Sequence, residues 1–236
     1  MDNSVTPSDE TVVSDAIIVS DIHLGSDVCQ AKKLTDFLLQ IETHKIKTKE
    51  MIINGDLFDS WDFRKLKKTH WKVLSHIRKI SKHTHVVWIN GNHDGPAEIV
   101  SHLIGVDFLE EYKLISGQKN VLILHGDKFD DFIADYPMLT KIADNIYRAI
   151  QKLDKSFYLA RLAKKSSKTF MRNAETIEKK SIAYAKKLNF NAVCCGHVHL
   201  AAKNDEVGYY NSGCWVEVPC SYLEVTNGEI NLKYFP

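Results

Sequence analysis

The chain has no apolar run approaching the roughly 18 residues that a membrane-spanning helix needs, and residues 1–15 are polar and acidic, without the apolar stretch that leads a secreted chain. Neither an integral membrane protein nor a secreted one is expected. Cysteine is scarce: there are five, an odd number, with no C-x₂-C spacing, and Cys194 and Cys195 are neighbours that do not readily pair within a strand. That excludes a disulfide framework and points to buried thiols in a reducing cytoplasm. The 5 prolines and 11 glycines never cluster with serine into a linker, and there is no internal repeat or low-complexity tract. One domain over residues 15–236, after a polar tail at 1–14, is the expected organisation. A charge excess is missing too, since 31 Lys+Arg against 30 Asp+Glu leave a net charge of +1. Bulk attraction to nucleic acid is therefore not expected.

The charge is unevenly distributed. Residues 128–187 hold fourteen Lys/Arg against seven Asp/Glu, an excess of +7 that leaves −6 for the remainder. An acidic remainder suits a carboxylate-lined metal site, and a basic segment suits an anionic substrate, lipid head groups or simply a solvated helix face.

Continuous apolar runs at residues 16–19, 51–53, 86–89, 121–124 and 192–195 predict strands covered on both faces. Helical spacing lies between them at 30–42 and 64–82, where Leu66, Trp71, Val73, Leu74, Ile77 and Ile80 supply an inward face. The alternation predicts parallel pairing. After residue 125 the rhythm breaks for about 60 residues of helical composition, and an inserted helical cap over 128–187 is expected. Ile146, Ile150, Leu153, Phe157 and Ala160 form a stripe there, which serves either core packing or an exposed groove for a lipid chain or membrane surface. Antiparallel strands are predicted at 207–210, 215–218, 221–225 and 230–235, with Asn227-Gly228 as a hairpin turn.

Ligand-grade side chains follow the strand runs. Asp21 and His23 leave the first, Asp56 the second, Asn92 the third, His125 the fourth, and His197 and His199 the fifth, with Gly25, Gly55, Gly91, Gly126 and Gly196 beside them. Side chains at the carboxyl ends of successive strands converge on one crevice. Two divalent cations about 3.5–4 Å apart need a bridging carboxylate, for which Asp56 is the candidate, and they activate phosphoesters toward water. Mixed carboxylate, amide and imidazole donors favour manganese, iron or zinc over calcium without choosing among them, and manganese is taken as the first expectation. His44, His70, His76, His83, His85 and His102 lack this address and read as core or surface residues.

These motifs, D-x-H, G-D, G-N-H-D, H-G-D and G-H-x-H, resemble the calcineurin-like metallophosphoesterase superfamily from about residue 15 onward. The resemblance implies an α/β fold, a four-layer αββα sandwich of two mixed sheets, with the last strands in the second sheet. It implies Asp21, His23, Asp56 and His199 around one metal, Asp56, Asn92, His125 and His197 around the other, and His93 near the scissile phosphate with its ring oriented by Asp94. Within the superfamily, residues 55–61, the helical insertion and residues 210–217 look like the UDP-2,3-diacylglucosamine diphosphatase group, although His93 stands where its best-known members carry Arg. That group cleaves a lipid-linked nucleotide sugar to UMP and a lipid sugar phosphate. The resemblance then implies a phosphate-containing substrate and peripheral membrane contact through the cap at the inner face. Asp59, Trp61, Asp127, Arg161, Lys164, Lys165 and Lys168 are the candidate substrate contacts. The alternatives are a phosphodiesterase or phosphatase acting on soluble nucleotides or phosphoproteins, and a metal-binding scaffold without turnover.

Overall fold

Ala16, Ile17, Ile18 and Val19 are fully buried but point alternately into two different cores, as successive residues of a strand must. This accounts for the unbroken apolar run: β1 (Ser14–Val19) is covered on one face by helices and on the other by a second sheet. The computed structural model describes residues 13–95, 97–131 and 166–236, together with Tyr147, Ile150, Gln151, Asp154 and residues 162–164.

The first half alternates strand and helix, from β1 through α1 (Ala31–Glu42), β2 (Thr48–Asn54), α2 (Lys68–Ile80), β3 (His85–Ile89) and α3 (Glu98–Ile104) to β4 (Asp107–Leu109). These four strands pair in parallel. The second half runs through β5 (Glu111–Ser116), β6 (Lys119–Leu124), α4 (Lys168–Lys187), β7 (Ala192–Cys195), β8 (Ala202–Asn204), β9 (Tyr209–Asn211), β10 (Cys220–Thr226) and β11 (Glu229–Phe235). One sheet has the order β11-β10-β1-β2-β3-β4, the other β5-β6-β7-β9-β8.

Both sheets are mixed. Between them Ile18, Ile52, Val87, Ile123, Cys194 and Tyr210 form the central core. Leu34, Phe37 and Leu38 of α1, and Val73, Ile77 and Ile80 of α2, close the outer face of the first sheet. On the second sheet Ala185 of α4 packs against Leu122, Val193 and Tyr209. The result is the four-layer αββα sandwich.

Several expectations differ from what is found. β10 and β11 extend the first sheet, β10 antiparallel to β1, instead of joining the second. β9 is antiparallel to β8, as expected, but pairs in parallel with β7 on its other side. Residues 215–218 form no strand, because their backbone is used elsewhere: the Trp215 N–H donates to the Asp21 carbonyl at 3.0 Å, and the Trp215 carbonyl accepts from Gln30 N–H at 2.8 Å. Trp71 lies on the outer face of α2, 53% exposed. The Asn227-Gly228 turn is as expected, with φ of 48° and 82° at its two central residues. Of the cap stripe, Ile150 is half-buried, whereas Ile146, Leu153, Phe157 and Ala160 lie outside the described residues. The α4 part of the 128–187 segment is a layer helix, burying Ala174, Ile177, Ser181 and Ala185.

Candidate metal centre

Every ligand candidate sits where a strand has just ended. At these points the chain takes an uncommon turn: Asp21, His23, Asp56, His197 and His199 all have positive φ, between 50° and 67°. A non-glycine residue held there costs of order 1–3 kcal/mol and persists only where its surroundings impose it. Five such residues converging on one crevice mark a place where side-chain direction outranks backbone comfort.

Two groups of donors result. In the first, His199 Nε2 lies 3.1 Å from Asp21 Oδ1 and 3.1 Å from His23 Nε2. In the second, His197 Nε2 is 2.8 Å from Asp130 Oδ2, which leaves Nδ1 facing Asn92 Oδ1 at 3.1 Å. Asp56 stands between them, its Oδ2 3.6 Å from His23 Nε2 and 3.4 Å from His125 Nε2. That is the position of a bridging carboxylate.

The residues fit a pair of cations on three counts. The His125 Nδ1–H donates to the Asn54 carbonyl at 2.9 Å, so its buried Nε2 presents a lone pair and has no hydrogen-bond partner. His197 Nε2 is turned to the Asp130 carboxylate, which leaves Nδ1 as the nitrogen beside Asn92 Oδ1, two donor atoms side by side. The buried carboxylates also demand positive charge. Burial raises Asp21, but His199 and His125 hold it down at about 2, and Asp56 is held well below the ordinary range by His125 and His23 against its burial. Burial alone would lower His125, yet Asp56 and Asp21 push it up to about 10, so without a cation the carboxylates draw a proton onto Nε2, and a bound cation would take that proton's place. Burial brings His23 down to about 3, leaving a neutral imidazole suited to ligation.

The calcineurin-like phosphoesterase family model matches residues 16–201 of the chain. The chain belongs to this family. The enzyme is thus a metal-dependent phosphoesterase, with Asp21, His23, Asp56, His125 and His199 among its candidate divalent-metal ligands. Among solved structures it is similar to an archaeal phosphodiesterase, at 11% identity and a TM-score of 0.50 over 93% of this chain and 98% of that one. A conserved protein of Streptococcus pneumoniae described as a predicted phosphoesterase gives 15% and 0.43 over 94% and 88%. The Vps29 of Chaetomium thermophilum gives 12% and 0.48 over 93% and 95%. No curated protein sequence matches.

Around the donors the enzyme places a supporting layer. The His93 N–H donates to Asp56 Oδ1 at 3.0 Å, and its ring Nδ1–H donates to the Asp59 carbonyl at 3.0 Å, so the ring is oriented by Asp59 and not by Asp94. Asp94 instead turns inward, accepting from Trp88 Nε1 at 3.0 Å, Gly91 N at 3.1 Å and Phe58 N at 3.1 Å. Burial and the Asp56 charge push its carboxyl up to about 7 against the Phe58 and Trp88 donors and the His125 charge. Asp59 Oδ1 also lies 3.8 Å from His23 Nδ1. Gly55 has φ +83°, and a Cβ there would lie 2.1 Å from His125 Nδ1, so only glycine admits the ring.

The other candidates divide. Lys164 reaches the site, bonding the Glu217 carboxylate and, at 3.4 Å, the His199 carbonyl. Trp61 packs against Phe58 and Phe63 as a wall beside Gly95. Asp127 opens a 3₁₀ turn and acts on His125 through its charge. Lys168 is exposed at the start of α4, and no hydrogen bond or ion pair among the described residues ties it to the donors. Arg161 and Lys165 lie outside the described residues. Sequence reasoning missed Asp130, which is buried and also accepts from Asn173 Nδ2 at 3.0 Å. It also missed Glu217, whose carboxyl Lys164 holds low against burial, and Asn54, whose amide reaches the Leu124 and Cys194 carbonyls across the sheets at 3.1 and 3.4 Å. An acid shortly after His125-Gly-Asp127 was the available signal for Asp130.

Proposed function

We propose that this phosphoesterase cleaves the pyrophosphate of a lipid-linked nucleotide sugar such as UDP-2,3-diacylglucosamine, giving UMP and a lipid sugar phosphate. The observation that carries the reading is Lys164: it belongs to the basic 128–187 segment, yet its ammonium is tied to Glu217 and to the His199 backbone. That segment therefore reaches the donor cluster, where it can meet a substrate bearing both a diphosphate and fatty tails. The same basic segment is the surface that would touch the membrane carrying such a lipid, at its inner face.

Asp21, His23, Asp56 and His199 would hold one divalent ion, and Asp56, Asn92, His125 and His197 the other. Manganese is the proposed ion, iron and zinc the alternatives. Bound there, the ions polarise phosphoryl oxygens and make water a competent nucleophile at neutral pH. His93, its Nδ1–H committed to Asp59, keeps Nε2 for the phosphoryl or leaving oxygen, where it stabilises charge or delivers a proton. Asp59 and Asp130 fix the ring directions of His93 and His197, and Asp94 ties the turn that carries Asn92 and His93 to Phe58.

His93 itself supports a second reading, hydrolysis of soluble phosphodiesters, because an imidazole serves a single phosphate where a fixed guanidinium favours two. Incubating the manganese-loaded protein with UDP-2,3-diacylglucosamine, and with bis-p-nitrophenyl phosphate in parallel, separates the two. Release of UMP, lost in Asp56→Ala, supports the lipid substrate. Cleavage of the generic diester alone discards it.

A further inference from the structure

A cavity of about 400 Å³ opens beside the metal centre, lined by Gly25, Ser26, Asp59, Arg64, Lys65 and Lys67 among others. It adjoins the centre directly. Gly25 follows His23 by two residues, and Asp59 is the residue whose carbonyl orients His93 and whose carboxylate faces His23. A Cβ on Gly25 would meet the Lys65 and Asp59 side chains at 3.6 and 3.9 Å, so these residues form one continuous wall.

The charges of that wall are not all satisfied internally. Arg64 is held by both carboxylate oxygens of Asp62, at 2.7 and 3.1 Å. Lys67 bonds Asp27 at 3.1 Å. Lys65 takes part in no ion pair among the described residues, its Nζ having only a 3.4 Å contact to the Ser60 hydroxyl. With Arg64 paired to Asp62 and Lys67 to Asp27, Lys65 is the cation of that wall without an ion pair among the described residues, beside the Asp59 carboxylate. The volume falls in the range of small-ligand pockets, ample for a phosphate and the sugar attached to it.

We propose that this cavity is a second-phosphate subsite, in which Lys65 holds the phosphate that is not attacked in a diphosphate-linked substrate. The subsite rests on the reading of the adjacent centre as the place where a phosphate is cleaved. Lys65 then acts as a specificity-determining residue, separating diphosphate-linked compounds from simple diesters. Its long stem, packed on Gly25, lets the ammonium swing from Ser60 to the ligand without moving the backbone.

The test is competitive inhibition of bis-p-nitrophenyl phosphate hydrolysis by UDP-N-acetylglucosamine, using the full chain with excess manganese. Inhibition reads binding whether or not the nucleotide sugar is itself cleaved, so failure of the lipid-substrate reading leaves this test intact. Lys65→Met should raise the inhibition constant of UDP-N-acetylglucosamine roughly three- to tenfold, the size of a partly exposed charge-assisted contact. The inhibition constant of inorganic phosphate should rise by less, and Lys65→Arg should restore most of the nucleotide-sugar binding. Equal weakening of both inhibitors, or none, overturns the subsite.

Discussion

Asp130 Oδ2 accepts a hydrogen bond from His197 Nε2 at 2.8 Å, and this contact decides which ring nitrogen of His197 faces Asn92. The carboxylate is buried and is itself held by Asn173 of α4, so a helix of the outer layer sets the direction of a ligand in the centre. Supporting carboxylates of this kind fix tautomer and orientation. Asp130→Asn should therefore weaken metal binding or turnover about 10- to 100-fold, with little change in the melting temperature of the metal-free protein. Titration calorimetry with manganese checks this, and a parent-like affinity would rule out the orienting role.

Asp56→Ala removes the carboxylate that faces both His23 and His125. Loss of both ions and of all hydrolysis of bis-p-nitrophenyl phosphate is expected. Elemental analysis of the purified variant alongside the rate measurement provides the check; full activity would sink the two-metal arrangement.

His93 hydrogen-bonds the Asp59 carbonyl and has no place in either proposed ligand set. His93→Asn should keep its metal content while kcat falls by about 10²- to 10⁴-fold, the usual range for lost general acid–base assistance. A variant with both metal and rate unchanged would remove His93 from the chemistry.

Gly55→Ala would force a methyl group to 2.1 Å from His125 Nδ1 in a backbone already at φ +83°. The strain is of order 1–3 kcal/mol or more, so the melting temperature and the metal affinity should fall together. A thermal melt and a manganese titration that both match the parent would contradict the packing.

Chelation should destabilise the native protein, because Asp21 and Asp56 are buried carboxylates that a cation would otherwise neutralise. Ligand linkage gives about 2.7 kcal/mol at a free-ion concentration 100 times the dissociation constant. Differential scanning calorimetry with and without EDTA measures it, and addition of manganese should reverse the shift. Coincident melts would mean that the ions contribute nothing to the folded state.

The sequence by itself determined the positions of the metal-ligand candidates and the strands that carry them. Asp21, His23, Asp56, Asn92, His125, His197 and His199 could be read because each lies a few residues beyond an apolar run, and a strand end fixes where such a side chain emerges whatever the distant chain does. The Asn227-Gly228 hairpin was legible for the same local reason. Tertiary structure decided the rest. Whether β10 pairs with β1 or enters the second sheet depends on partners some 200 residues apart, for which periodicity has no signal. Trp215 to Val218 has strand composition, yet its backbone ties down the Asp21 turn and the start of α1. Asp130, Glu217 and Asn54 act by contacts between elements remote in sequence, and an acid or amide of that kind looks ordinary until the fold brings a histidine, a lysine or a carbonyl against it.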